Sequence, residues 1–299
     1  MKISLGSWAF SFGPYSDNPI LFDRTARRLA EAGYDGIEIC GFPPHVTLDA
    51  CPTSAKRAEL SRFLDDLGLG RSGYAADLAP ANPLNRENEQ KYLDLFQRNI
   101  ELCSDLRIPA IRVDTVAGPN AVTVEETPAA LSRIASLWHK AAGLAQKAGI
   151  RMVWEFEPGF LFNKPSEILS MHQQADHPNF RIMFDVCHAY MCGVMAARQQ
   201  GARETLPGGV DEFLRMLEGR IGAIHLIDSD GTLHHDETST HRPFGEGVID
   251  FQALTPKLLA VPGIEWWCID LCFWAGSWEL VDSSLAFVRN LLQPMAAAS

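Results

Sequence analysis

What most constrains this sequence is a repeated alternation: eight short apolar runs, each followed by a stretch with helical spacing or a long connection. The strand-like runs are Ile3–Trp8, Gly36–Cys40, Gly70–Ala75, Ala110–Asp114, Met152–Glu157, Arg181–Val186, Ala223–Ile227 and Glu265–Asp270. Between them, Leu21–Ala32, Ser54–Leu67, Glu87–Leu106, Pro128–Ala148, Ser166–Gln174 and Ser277–Leu292 carry apolar residues three and four apart, as in Leu93, Phe96 and Ile100. Eight units in 299 residues come to about 37 residues each, the size expected of a (β/α)8 barrel. An open doubly wound sheet shows the same alternation. Here, however, no GxGxxG or GxxxxGK(S/T) motif follows a strand, and polar residues close several strands instead of gathering at one switch point. There is no Pro/Gly/Ser-rich linker, and the one low-complexity tract is the tail Met295–Ser299. The expectation is therefore one α/β domain over residues 1–299, a single TIM barrel.

Charge and cysteine usage narrow the function. With 26 Lys and Arg against 37 Asp and Glu, the net charge is −11, so no phosphate-neutralising surface and no nucleic-acid partner are expected. The 46% hydrophobic and 21% charged content fits a folded soluble chain. No apolar run is long enough to span a membrane, and the opening MKISLGSWAFSFG has no sustained apolar core of a signal peptide. Seven cysteines, an odd number without a CxxC pair, fit reduced thiols, and a cytoplasmic location is expected.

The chemistry gathers at strand ends. In the fifth run, Arg151-Met-Val-Trp-Glu155-Phe-Glu157, a period of two puts Glu155 and Glu157 on one face. Two carboxylates between Val153, Trp154 and Phe156 need a cation, a donor or a shared proton to compensate them; a surface-facing strand end or an ion pair is the alternative. The sixth run closes on Asp185, with His188 three residues on; a capping Asp explains that spacing about as well. The seventh holds His225 among apolar neighbours, and the eighth ends in Asp270. A barrel brings Glu155, Asp185, His225 and Asp270 to one rim from four successive strands. Three carboxylates and one imidazole suit one divalent metal, Mn²⁺ or Mg²⁺ first, with Zn²⁺, Co²⁺ or Fe²⁺ also within range. His188 is read as a substrate contact or proton shuttle, against a capping or supporting role. His241 and Arg242 contact substrate or lie in a solvated loop; Trp8 and Trp274 wall the pocket or simply pack. Asp228-Ser-Asp230-Gly231 lacks the spacing of a calcium loop and is set aside.

Several stretches together resemble the xylose-isomerase-like TIM-barrel superfamily, which includes sugar isomerases and epimerases, inosose dehydratases and the endonuclease IV group. They are Gly33-Tyr-Asp-Gly-Ile-Glu38, Glu155-Phe-Glu-Pro-Gly159, Phe184-Asp-Val-Cys-His188, Ala223-Ile-His-Leu-Ile-Asp228 and the run from Pro243 through Gly245-Glu-Gly247 to Asp250-Phe. The resemblance implies that Glu155, Asp185 and His225 ligate metal and that His188 contacts substrate. It also implies that the strand-five and strand-eight carboxylates act as an acid/base pair. The fourth ligand is usually Glu; here Asp270, one methylene shorter, stands in its place. The trinuclear zinc site of endonuclease IV needs further histidines, where this chain has Tyr74 and Asp114, and Ser239 stands where that group has the Asp before His241.

Three functions are carried forward. The first is a metal-dependent isomerase or epimerase of a keto-sugar, with Glu155 or Glu157 removing a proton and Asp270, Glu157 or His188 returning one. The second is a lyase, a dehydratase or an enzyme cleaving a C-glycoside of a 3-keto sugar, in which the same enolate expels a substituent. The third is a barrel that binds metal and sugar without turnover. The partner is a small sugar or keto-glycoside. The resemblance implies a homo-oligomer, or a hetero-oligomer with a smaller subunit for the lyase.

Overall fold

In a computed structural model, residues 1–293 are described; the tail Met295–Ser299 lies outside them. Ten strands occur in chain order: β1 (Lys2–Gly6), β2 (Gly36–Cys40), β3 (Gly70–Ala75), β4 (Ala110–Val113), β5 (Arg151–Glu155), β6 (Phe180–Asp185), β7 (Ile221–Leu226), β8 (Asp228–His234), β9 (Thr238–Arg242) and β10 (Trp266–Ile269). Eight of them close a parallel barrel in which β1 to β7 follow one another and β10 returns to β1, as the alternation requires. Around it run α1 (Phe22–Ala32), α2 (Ser54–Asp66), α3 (Glu89–Asp105), α4 (Thr127–Lys147), α5 (Pro165–Ala175), α6 (Val186–Gly193), α7 (Gly209–Met216), α8 (Phe251–Leu259) and α9 (Val281–Leu292).

Strand alternation sorts the side chains. On β5, Trp154 turns outward onto Trp138 of α4, ring centroids 5.4 Å apart, and Phe156 packs on Phe213 of α7 at 5.3 Å. Both indoles are fully buried, and truncating either to Ala would cost about 3–5 kcal/mol. Glu155 therefore faces the barrel mouth. The strands stop sooner than the apolar runs do: Trp8 lies in the 3-10 turn Ser7–Phe10, and Asp114, Glu157 and Asp270 lie just past their strands. Asp185 ends β6 and caps α6, accepting the His188 backbone N–H at 2.8 Å.

Three elements depart from the sequence expectation. α7 and α8 have only eight and nine residues, and α8 contains Pro256, so neither offers enough helical period to be read. The third is an antiparallel hairpin, β8–β9, outside the barrel sheet. Leu233 is its only apolar residue, which leaves no period-two pattern to detect. Its three-residue connection places His235 and Asp236 at φ 49° and 56°, and Glu237 N–H donates to His234 C=O at 3.0 Å, closing a tight turn through two left-handed residues. This hairpin packs on α6: the Cys187 thiol lies 3.5 Å from the Thr240 carbonyl.

Candidate active site

The C-terminal mouth of the barrel encloses a cavity of about 500 Å³. Glu155, Glu157, His188, His241, Asp270 and Trp8 all line it, so the structure brings together six of the side chains singled out from the sequence. Asp185 and His225 lie beneath its floor, fully buried. Across the mouth, Phe12, Phe42, Leu78 and Phe273 give the cavity an apolar wall. Arg242 and Trp274 are not among its lining residues. The Arg242 guanidinium stacks 4.9 Å over the Trp274 ring and pairs with Asp230 at 3.4 Å; Trp274 borders a smaller neighbouring cavity.

Each polar group has an identifiable support. Asp185 and His225 are register partners on β6 and β7. His225 Nε2 lies 3.1 Å from Glu38 Oε2 of β2; its Nδ1 faces Glu155 Oε1 at 3.3 Å and Asp270 Oδ2 at 3.8 Å without a hydrogen bond. A carboxylate behind an imidazole is how a metal-binding histidine is commonly oriented. Trp8 Nε1–H and Cys272 N–H both donate to Asp270 Oδ1, at 2.8 and 3.0 Å. The indole reaches that position because Gly6 has no Cβ; one placed there would sit 2.2 Å from the ring. Glu155, His225 and Asp270 each bring a donor atom within 4.8 Å of the others, and Asp185, Cys187 and His241 form a second such group. Asp185 Oδ2 and His225 Nδ1 are buried and unpartnered. Each costs about 1–3 kcal/mol in that state, and a divalent cation bound within its own donor group would satisfy it, so the residues present fit the expected metal.

The electrostatics divide the carboxylates. Burial pushes Glu155 up, but Arg112, its Nε 2.7 Å from Oε2, and then His225 more than offset this and hold the carboxyl at about 2. Asp270 is likewise buried, yet His241, His225 and Trp8 draw it below the usual carboxylate range. Glu157 goes the other way. Burial drives it to about 7, the hydrogen bond from Thr238 opposes this only in part, and the charge on Glu155 adds to the rise. Burial, then the neighbouring His241, lowers His188 to about 3, leaving a neutral imidazole with Nδ1 2.8 Å from Ser239 Oγ and Nε2 3.5 Å from Glu157 Oε2. For His241, burial is outweighed by Asp270, which lifts it to about 9. The site thus pairs ionised donors for a cation with a neighbouring carboxyl–imidazole pair able to hold a proton near neutrality.

Sequence reasoning gave no role to Glu38, Arg112, Thr238 or Ser239. For the first two a signal was present: a charged residue inside the apolar strands Gly-Ile-Glu38-Ile-Cys and Ala-Ile-Arg112-Val must find a buried partner. Arg112 finds two, Glu155 and Asp114, the latter at 2.8 Å from Nη2. Thr238 and Ser239 arrive on the hairpin, which no apolar pattern announced.

A family model described as xylose isomerase-like TIM barrel matches residues 26–291. No curated protein matches the chain. Among solved structures, a D-tagatose 3-epimerase-like protein aligns over 98% of this chain and 97% of its own at TM-score 0.73 and 19% identity. The probable 3-DHS dehydratase AsbF from Bacillus anthracis aligns over 97% and 99% at TM-score 0.73 and 16% identity. The 3-keto-D-glucoside 4-epimerase YcjR from E. coli aligns over 97% and 99% at TM-score 0.69 and 16% identity. At such identities the structural likeness establishes the fold, and the family match adds descent to it: this chain belongs to the xylose isomerase-like TIM-barrel family.

Proposed function

We propose that this chain is a divalent-metal-dependent isomerase or epimerase that acts on a keto-sugar through an enediolate. One observation carries the reading: Glu155, His225 and Asp270 converge within 4.8 Å at a cavity whose wall also holds Glu157 and His188. Likeness to proteins named as a D-tagatose 3-epimerase-like protein and a 3-keto-D-glucoside 4-epimerase agrees with it. Glu155, Asp185, His225 and Asp270 would hold the cation. When bound, it would supply Lewis acidity to a ketone, lowering the cost of removing a proton from the hydroxyl-bearing carbon beside the carbonyl. Glu157 would take that proton: it lies outside the proposed ligand set, and the Thr238 hydroxyl orients its carboxylate. His188, 3.5 Å away and fixed by Ser239, relays it or returns it to the other face together with Asp270.

A second reading is favoured by the wall of Phe12, Phe42, Leu78 and Phe273. A free sugar offers little for four apolar side chains to cover, whereas a keto-glycoside carries an apolar group that fits them. If the enolate expels that group, the enzyme is a lyase, and a smaller second subunit would complete it. Metal-reconstituted protein incubated in D₂O with ketoses and with 3-keto glycosides separates the two. Deuterium at a carbon beside the carbonyl with no group lost is the expected result. Release of water or an aglycone would replace it by the lyase. No exchange on any substrate, from protein that takes up no metal, would overturn both.

A further inference from the structure

We infer that Arg198 reads a carboxylate on the substrate, so that the keto-sugar bound here carries an acid group and not hydroxyls alone. This rests on the keto-sugar reading above and names the substrate class within it. Two arginines line the mouth cavity, Arg112 and Arg198. Arg112 is engaged by Glu155 and Asp114, at 2.7 and 2.8 Å. Arg198 has no such partner. Among the described residues its guanidinium makes one hydrogen bond, from Nη1 to the Glu237 backbone carbonyl at 2.8 Å, and no carboxylate oxygen comes within 4.0 Å of it. A carbonyl steadies a guanidinium without cancelling its charge. The rest of the planar fork stays open to an acceptor of matching shape and opposite charge.

The loop that presents Arg198, between α6 and α7, is held in a costly shape. Ala196 and Arg198 have φ of 50° and 55°, values that residues with a Cβ keep only where their surroundings impose them. Asn163, 3% exposed, donates from Nδ2 to the Pro158 carbonyl at 3.1 Å and to that of Arg198 at 3.5 Å. Gln199 donates to the Cys192 and Glu204 carbonyls at 2.9 and 3.0 Å. The guanidinium is thereby fixed on the side of the mouth that holds Glu157. Gly159 packs between the two: a Cβ there would lie 3.4 Å from the Glu237 carbonyl that Arg198 grips and 2.7 Å from Glu157 Oε1.

Barrel order makes this placement directional. Phe12, Phe42, Leu78 and Phe273 follow β1, β2, β3 and β10, which are neighbours in the ring; Arg198 follows β6, in the facing half. In that half Asp114 and Glu155 repel an anion, so Arg198 is where one settles, and a substrate with an acid group enters in one orientation. A phosphate, with about two charges and three acceptor oxygens, finds no second unpaired Arg or Lys in the described lining. One carboxylate matches one open fork.

Isothermal titration calorimetry of the Mn²⁺-loaded protein compares D-fructose with D-fructuronate, which has a carboxylate in place of the terminal hydroxymethyl group. The wild type should bind the acid at least about tenfold more tightly, and Arg198→Gln should abolish that ratio. Arg198→Lys, which keeps the charge but not the fork, should restore part of it. Equal affinities in the wild type would overturn the inference. So would a preference that survives Arg198→Gln, since the carboxylate would then sit on the cation. D-fructose 6-phosphate bound more tightly than D-fructuronate, through Arg198, would overturn the choice of a carboxylate. Metal-loaded protein that binds none of the three would refute the keto-sugar reading itself, an outcome distinct from the others.

Discussion

Arg112→Met in the metal-free protein tests how the buried carboxylates are held. The guanidinium lies 2.7 Å from Glu155 and 2.8 Å from Asp114, and both acids are buried. At an effective dielectric of ~20, unit charges at the first of these distances attract by about 6 kcal/mol, part of which is offset by the cost of burying them. Methionine fills the space of the aliphatic stem and carries no charge, so it removes the compensation while keeping most of the packing. Stranding the carboxylates should then destabilise the apo-protein by about 3–5 kcal/mol, the range found when one partner of a buried pair is deleted. At about 2–3 °C per kcal/mol for a chain of this size, the melting temperature should drop by roughly 6–15 °C. Differential scanning fluorimetry in chelator, repeated with Mn²⁺ or Zn²⁺ in large excess, reads it. The cation should recover more stability in the variant than in the wild type, because Glu155 then keeps only imidazole neighbours, His225 first, against its charge; a hundredfold excess over the dissociation constant contributes about 2.7 kcal/mol through binding alone. An apo-variant melting within about 3 °C of the wild type would refute the reasoning and place the compensation of Glu155 elsewhere.

Other consequences follow from single contacts. Glu157→Gln should slow solvent deuterium exchange at the substrate carbon by about 10²–10⁴-fold and leave metal content unchanged; loss of metal would make Glu157 a ligand instead of a base. His172 stacks on Phe180 beside Arg181 and Arg220, and burial with those charges lowers it to about 4. Its folded pKa is below the unfolded ~6.5, so the stability it contributes is complete above ~6.5 and is lost as pH falls toward 4. His172→Phe should flatten that slope by about 1–2 kcal/mol, discounted for partial exposure, in urea titrations at pH 7 and pH 4.5; parallel pH profiles would remove His172 as their source. Gly247→Ala would put a Cβ 2.2 Å from Asp228 Oδ1, whose carboxylate gathers the N–H groups of Gly245, Gly247 and Ile249. A loss of about 2–3 kcal/mol is expected, and an unchanged urea midpoint would contradict it.

The barrel was legible because its signal is periodic. The runs Gly36–Cys40 and Gly70–Ala75 match β2 and β3 residue for residue; the first is apolar but for Glu38, and the second, with Arg71 and Ser72, is marked by its place in the alternation and by the glycines at its start. The rim acids were legible for a related reason, because a charge that interrupts or closes such a run must be compensated. Glu155 and Asp270 show it, as does Arg112, whose position in the strand carried the same information unread. What the sequence could not show is pairing across elements. Glu38 meets His225 only because the barrel closes across 187 residues of chain, and no local spacing encodes that contact. The hairpin escaped for the opposite reason: with Leu233 alone as an apolar residue, its strands are specified by turn geometry and by contacts with α6, not by a hydrophobic face.

That division has a chemical consequence. The barrel strands and their ends supply the charged groups, Glu38, Arg112, Glu155, Asp185, His225 and Asp270, whose separations are set by strand register and are hard to change one at a time. The hairpin supplies Thr238 to Glu157, Ser239 to His188 and the imidazole of His241. The first two of these contacts fall on Glu157 and His188, the pair proposed to move the proton. On that proposal, a change confined to β9 retunes where the proton rests without disturbing the frame. In a fold whose loops vary while its sheet is preserved, this hairpin holds the hydroxyls that orient Glu157 and His188, and the barrel frame holds the charges around them.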